Sequence, residues 1–282
     1  MTTLESTALS RPVRRRRSAR RSTLTRSAGL GLGIAMTWFS LLVLIPLSAV
    51  VAETAAGGWP GFWDTLSSPQ TAAAVSLTVT QSLMVTGVNV VMGTAIAWVL
   101  VRDRFPGQVL LNIVIDIPFA LPTIVAGLVL LSLYGADSPI GINVANTRSA
   151  VFLALAFVTL PFVVRTVQQV LEELDRDVEE AAASLGARRM TILRRVILPG
   201  LAPAIAAGAA LSFARAISEY GSLVLLSGNL PMKTQVASVK VLNYIESGDN
   251  TSAAAVATAM LVVALVVIVS VDLIQRRISR RG

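Results

Sequence analysis

Residues 179–200 read EEAAASLGARRMTILRRVILPG, a charged, alanine-rich stretch set between long apolar runs. A helix read from Val167 to Leu185 is acidic early and alanine-rich late. Gly186 is a stop, because glycine accepts the left-handed backbone that ends helices. A second short helix is expected from Ala187 to Ile197, with Arg188, Arg189, Arg194 and Arg195 on its polar face and Pro199 ending it. Two helices bent at a glycine and lying across a membrane surface offer small alanine side chains to a close-fitting partner. Their charges can fix the register of that contact. An amphipathic loop resting on lipid headgroups fits the same residues, so the charges alone do not choose between the two.

The surroundings of this stretch are those of a membrane protein. The chain has 282 residues, of which 54% are hydrophobic and only 14% charged, and its mean hydropathy is +0.70. Soluble domains carry roughly a quarter charged residues. That much apolar surface does not hide inside a globule of this size; its natural solvent is a bilayer. The chain contains no Cys and no His. Disulfides, thiolate chemistry, histidine proton shuttling and Cys or His metal sites are excluded. No paired carboxylate cluster falls inside an apolar run, and Asp116 and Asp272 read as isolated, so catalysis is not expected.

A helix needs about 20 mostly apolar residues to cross the hydrocarbon core. Six stretches qualify: 28–52, 71–101, 108–134, 149–170, 201–226 and 252–274. Pro46, Pro118, Pro122 and Pro161 fall within them, which is tolerated where neighbouring helices satisfy the freed carbonyls. Lys and Arg concentrate on the inner side of a membrane. With the N-terminus inside, the inner segments hold 19 Arg and the outer ones only Arg148, Lys233 and Lys240. Both termini and the loop 171–200 are therefore expected on the cytoplasmic face. The tail RPVRRRRSARRSTLTR reads as a disordered basic anchor on anionic lipid, in preference to a nucleic-acid arm or a twin-arginine signal. The run after it is too long for an ordinary signal core.

The spacing inside the loop adds a family. Glu180-Ala181-Ala182, three residues, Gly186, nine residues, then Val196-x-Leu198-Pro199 resembles the E-A-A-x3-G-x9-I-x-L-P motif of ATP-binding-cassette importer permeases. The one departure is Val196 for Ile. The motif falls between the fourth and fifth of six spans, and the resemblance covers essentially the whole chain after residue 28. It implies that this loop is the coupling helix that docks in a cleft of a separate ATPase. It also implies an all-α fold: a type I importer permease of the MetI-like kind, with six transmembrane helices in one domain over 28–275. A basic tail at 1–27 and another at 276–282 flank that domain.

Phe213-Ala214-Arg215-Ala216 with Glu219-Tyr220-Gly221 is similar to a signature of the sulfate/molybdate branch of these permeases. Ser227-Gly228-Asn229-Leu230-Pro231-Met232-Lys233-Thr234 resembles the T-type sulfate/thiosulfate subunits in particular. Asp116-Ile117-Pro118-Phe119-Ala120-Leu121-Pro122-Thr123 followed by Ile124-Val125-Ala126-Gly127 fits the same branch. By resemblance the proline-broken third span is a candidate gate; a simple packing kink is the other reading of Pro118 and Pro122. Arg215 and Glu219 are four apart, so they share a helix face and can pair. Intramembrane charges are costly and face a cavity or a partner. The pair is either a clamp between helices or, with Tyr220, part of the lining of a translocation path.

The resemblance implies the partners as well: a second, W-type permease subunit, two copies of an ABC ATPase, and an extracytoplasmic sulfate-binding protein meeting the outer loops at 53–70, 135–148 and 227–251. No G-x-x-x-x-G-K-[ST] phosphate loop is present in the sequence. ATP is thus expected to be used by the partner, with no cofactor or metal bound by this chain and no nucleic acid. Molybdate or tungstate is the alternative cargo. A secondary carrier would need internal inverted repeats, and no convincing repeat is seen.

Overall fold

The computed structural model describes residues 26–279. The basic tail at 1–27 lies outside the described residues except for 26–27, and the tail at 276–282 except for 276–279. Two compact units divide the chain at Ser48. In the first, α1 (Arg26–Phe39) passes through a π-helical turn at Ser40–Leu44 into the start of α2 (Ile45–Ala56).

The second unit holds α3 (Gly58–Ser67), α4 (Pro69–Arg102), α5 (Gln108–Ala120), α6 (Thr123–Tyr134), α7 (Arg148–Glu173), α8 (Arg176–Ser184), α9 (Arg189–Ile192), α10 (Leu198–Ile217), α11 (Gly221–Leu226), α12 (Ala237–Glu246) and α13 (Asn250–Ser279). Among the described residues there is no strand. An all-helical chain is what a bilayer demands, since only helices and closed barrels satisfy every backbone polar group there.

Five helical segments are long and apolar enough to cross a membrane: Ala28–Ala56, Pro69–Arg102, Arg148–Glu173, Arg189–Ile217 and Asn250–Arg277. Each outruns its expected boundary at one or both ends. An apolar run ends at the first polar residue, whereas a helix ends at its caps. Thr147 caps α7 by accepting from the Ala150 amide at 3.3 Å. Asp249 precedes α13 and accepts from the Ser252 amide at 2.9 Å. The Ser252 side chain and then its amide hold the Asp249 carboxyl below its ordinary pKa.

The proline-broken span expected at 108–134 is bent by 119° between α5 and α6, and the pair counts as a sixth crossing only if taken together. Leu121 sits before Pro122, and the proline ring drives that residue out of the helical region, to φ −86° and ψ 137°. The span expected at 201–226 stops at Ile217, and the chain restarts at Gly221 after Ser218, Glu219 and Tyr220. In the loop, the helix expected from Val167 to Leu185 is two helices. Its first part belongs to α7, which breaks at Leu174 and Asp175. Asp175 then caps α8 by accepting from the Asp177 amide at 2.9 Å. Pro199 does not end the second loop helix either. α9 runs through a π-helical turn at Leu193–Ile197 into α10, and Pro199 lies at the second position of α10, directly after that turn.

The centre of the second unit is a three-helix core of α4, α7 and α10. The buried positions of α4 recur at helical spacing, with Ser82, Val85, Asn89, Gly93, Ala97 and Leu100 among them. Small and polar residues at such a seam let helices close without a hydrophobic drive. Val163 of α7 is gripped between Gly93 and Gly208: a Cβ on either glycine would lie 2.9 Å from the Val163 Cβ or 3.1 Å from its Cα. One turn away, the buried Asn89 donates to Thr159 Oγ1 at 2.8 Å and Ser212 Oγ at 3.5 Å. Interhelical hydrogen bonds of this kind are worth about 0.6 kcal/mol on average, up to about 1.7.

Candidate functional site

The motif residues occupy one end of the bundle. α8 ends in a full Schellman turn. The Gly186 amide donates to Ala183 O at 2.9 Å and the Ala187 amide to Ala182 O at 3.1 Å, with Gly186 at φ +85°. This bond pattern needs a left-handed residue at the turn, so Gly186 is the stop the sequence indicates. Of the motif residues, Ala182 is part-buried, whereas Glu180, Ala181, Gly186, Leu198 and Pro199 are exposed. Ile192 and Ile197 are buried in a cluster with Ala97, Leu100, Val167, Leu171 and Leu201, and Ala182 and Ala187 pack against it. The loop is thus seated on the bundle from below, while Val178, Leu185 and Met190 point outward. Leu185, next to the turn, is 89% exposed. Exposed apolar side chains around a turn are a feature of interaction surfaces.

The two helix breaks meet each other. α11 packs along α6, and Gly221 lies so close to the start of α6 that a Cβ there would sit 2.2 Å from Thr123 Oγ1 and 2.8 Å from the Ile124 amide. A Cβ on Gly127 would lie 2.7 Å from the Ser222 carbonyl oxygen. Pro118, inside α5, and Pro122, which caps α6, flank one break. Arg215 and Glu219 bracket the other. Their charges pair at 2.7 Å, with the Glu219 side chain 1% exposed and that of Arg215 29%. The same carboxylate accepts from the Ser222 amide at 2.8 Å and its hydroxyl at 2.9 Å. Ser238 of α12 donates to the Glu219 carbonyl at 2.7 Å. Glu219 therefore holds the α10–α11 break in shape from three sides. Tyr220 follows it, 36% exposed.

Other intramembrane charges are fully engaged. Asp116 and Asp272 are not isolated. Asp116 binds Arg165 through both carboxylate oxygens, at 2.8 and 2.7 Å, tying α5 to α7. Arg165 also donates to the Asn112 and Gln168 side chains. Asp272 pairs with Arg276 one turn along α13 at 2.7 Å. Among the described residues no cluster of three or more His, Cys, Asp or Glu could hold a metal. Pairing cancels these charges in lipid.

Sequence reasoning named Gly127 and Gly221 within motifs but not their close contacts, and it did not find Ser222, the Asn89–Thr159–Ser212 network, or the ion pair between Arg102 and Glu179. A polar Asn in a long apolar run was a visible signal for one of these; the others depend on distant partners.

Residues 89–281 match the model of the family described as binding-protein-dependent transport system inner membrane component. The chain is 41% identical to the sulfate transport system permease protein CysT of Salmonella typhimurium over 89% of its own length and 94% of the relative. It is 40% identical to the protein of that name from Synechocystis over 86% of this chain and 87% of the relative. Among solved structures, it superposes on a bacterial alginate ABC transporter with a TM-score of 0.73, at 18% identity, covering 89% of this chain and 94% of that one. For the MetNI methionine ABC transporter the TM-score is 0.55 at 21% identity, over 73% of this chain and 96% of that one. At these identities the structural likeness speaks for the fold alone.

Proposed function

The chain belongs to the family of binding-protein-dependent transport system inner membrane components, and from that premise we propose that it is the membrane-embedded permease subunit of an ATP-driven importer of sulfate and thiosulfate. One observation carries this reading: the likeness to sulfate permeases runs through nine-tenths of the chain, so it takes in loop, breaks and spans together. The protein is multi-pass in the bacterial inner membrane, with both termini on the cytoplasmic side as the arginine asymmetry requires. It is a transport subunit, and ATP is bound and hydrolysed by two copies of a partner ATPase. A W-type permease completes the membrane pathway, and an extracytoplasmic binding protein delivers the anion to the outer loops.

In this reading α8, the turn at Gly186 and the exposed Leu185 enter the ATPase cleft. Closure of the ATPase pushes the loop, and the loop pushes the helices it sits on. The opposed breaks at Pro122 and Ser218–Tyr220 form the gate, since discontinuous helices are where a packed bundle can take two discrete arrangements. ATP then shifts the balance between outward- and inward-open states.

Uptake of labelled sulfate in cells lacking the gene and in cells carrying it again, with molybdate as competitor, tests the assignment. Uptake that is lost, restored and little affected by molybdate is the expected result. Intact sulfate uptake with lost molybdate uptake moves the protein to the molybdate branch.

Glu219→Gln is expected to impair uptake far more than Lys240→Gln. Glu219 is the buried member of its pair and also accepts from Ser222. Because Arg215 is 29% exposed, removing the Glu219 charge costs less than the figure of about 3–5 kcal/mol for a fully buried pair. Lys240 is a surface cation 4.4 Å from the Tyr244 ring and 3.2 Å from Gln70 Oε1, contacts worth no more than about 1 kcal/mol. Uptake normalised to protein in the membrane decides it, and equal tolerance removes the role given to Glu219.

A further inference from the structure

We propose that Glu179 and Arg102 form a clasp that carries the movement of the docking helix α8 into α4, making both of them positioning residues for coupling. The proposal rests on the reading of this loop as the segment that engages the ATPase. Glu179 lies outside the motif proper, one residue before Glu180, and faces the other way. Among the described side chains of α8 only Glu179 and Ala182 are not exposed. Ala182 is small and slides over its neighbours. The directional link from α8 to the membrane bundle is therefore the ion pair of Glu179 Oε1 with Arg102 Nη2, the last residue of α4.

This pair differs from an ordinary surface bridge. The Arg102 side chain is 10% exposed and that of Glu179 22%. The guanidinium lies 5.7 Å over the Trp98 ring, which fixes its direction. Its Nε is buried without a hydrogen-bond partner, so Glu179 is the group that neutralises this cation. If α8 moved away alone, it would leave an uncompensated, largely desolvated charge behind, which is strongly disfavoured. Moving α8 and α4 together avoids that state. α4 is a continuous helix of 34 residues and acts as a rod. From Arg102 it reaches Asn89, about 20 Å away at 1.5 Å per residue, where Asn89 bonds to α7 and α10. A push on α8 thus arrives at the three-helix core, whose α10 leads into the break at Ser218.

The test is a charge swap in the complete transporter, in membranes containing the partner subunits and binding protein. Arg102→Glu, Glu179→Arg and the double reversal are compared for sulfate taken up per ATP hydrolysed, and co-purification of the ATPase is measured alongside. Each single reversal is expected to lower the ratio by about tenfold with the ATPase still bound, because like charges then face each other in a part-buried site. The double reversal is expected to recover at least half of the ratio. Single variants at the wild-type ratio, or a double variant no better than the worse single, overturn the clasp. Should Arg102→Glu not accumulate, Glu179→Gln at the accessible end decides alone: a lowered ratio supports the clasp and an unchanged one overturns it. Gly186→Val in the same membranes separates the two layers. If it uncouples while the swap series does not, the clasp fails and the coupling loop stands. If Gly186→Val also leaves the ratio intact, the coupling reading itself fails.

Discussion

A Gly186→Val protein is expected to reach the membrane and assemble with its ATPase, and then to hydrolyse ATP with little uptake of sulfate. The residue sits at φ +85°, a conformation that costs an L-residue roughly 1–2 kcal/mol and suits a β-branched one least. A Cβ at this position meets nothing within 4 Å. Crowding is therefore not the problem; the strain is in the backbone. It is relieved by unwinding the turn, which releases the Ala182 and Ala183 carbonyls from the Ala187 and Gly186 amides. α8 then loses its fixed angle to α9, and Leu185 leaves the place where a partner would receive it. The loop is at the surface, so the buried core and insertion are unaffected. Gly186→Asn is the control, since asparagine tolerates the left-handed region and should retain most of the activity. ATP hydrolysis and sulfate uptake measured in one vesicle preparation read the outcome. Wild-type uptake by the valine variant would sink the coupling role of the loop.

The second large effect is expected from a single methyl group. Gly127→Ala places a Cβ 2.7 Å from the Ser222 carbonyl oxygen, 2.9 Å from its Cα and 3.1 Å from its carbonyl carbon. These are backbone atoms, which cannot rotate aside as a side chain would. α11 must move off α6, and Ser222 carries with it the amide and hydroxyl that hold Glu219. Overpacking costs about 1–3 kcal/mol in a core that can adjust; here it falls on the contact between the two breaks. Uptake is expected to be lost with a lowered melting temperature in detergent. Gly87→Ala is the counterpart on α4, where a new Cβ has nothing within 4 Å. There alanine should stabilise the helix by up to about 1 kcal/mol and leave uptake intact. If Gly127→Ala transports and melts like the wild type, the close contact of α6 with α11 plays no part in gating.

The loop at 171–200 was the most legible part of the chain, because its information is local. The end of α8 depends on one glycine and two backbone hydrogen bonds, all within six residues. Pro199 was misread for the same reason: proline punctuates a helix, but from the inside of a sequence a stop and a first turn look alike. The third span was legible as apolar and proline-broken. Its 119° bend was not, since hydropathy is a sum over a window and carries no direction. Arg215 and Glu219 were found as a pair because four residues fix their distance on one helix. Asp116 read as isolated, because its partnership with Arg165 crosses 49 residues.

The sequence by itself determined the class of the protein: an all-helical membrane chain, where its apolar runs lie, and a charged loop whose first helix ends at Gly186. Those are consequences of composition and of contacts within a helical turn, which a linear text contains. Only the tertiary structure decided which distant groups meet. Glu179 reaches Arg102 across 77 residues, Asn89 reaches Ser212 across 123, and Gly127 closes on Ser222 at the facing breaks. The reason is physical. In lipid, apolar helices gain little from one another by hydrophobicity, so their arrangement rests on close packing of small residues and a few polar pairs. Such contacts are properties of two surfaces at once, and neither stretch of sequence specifies the other.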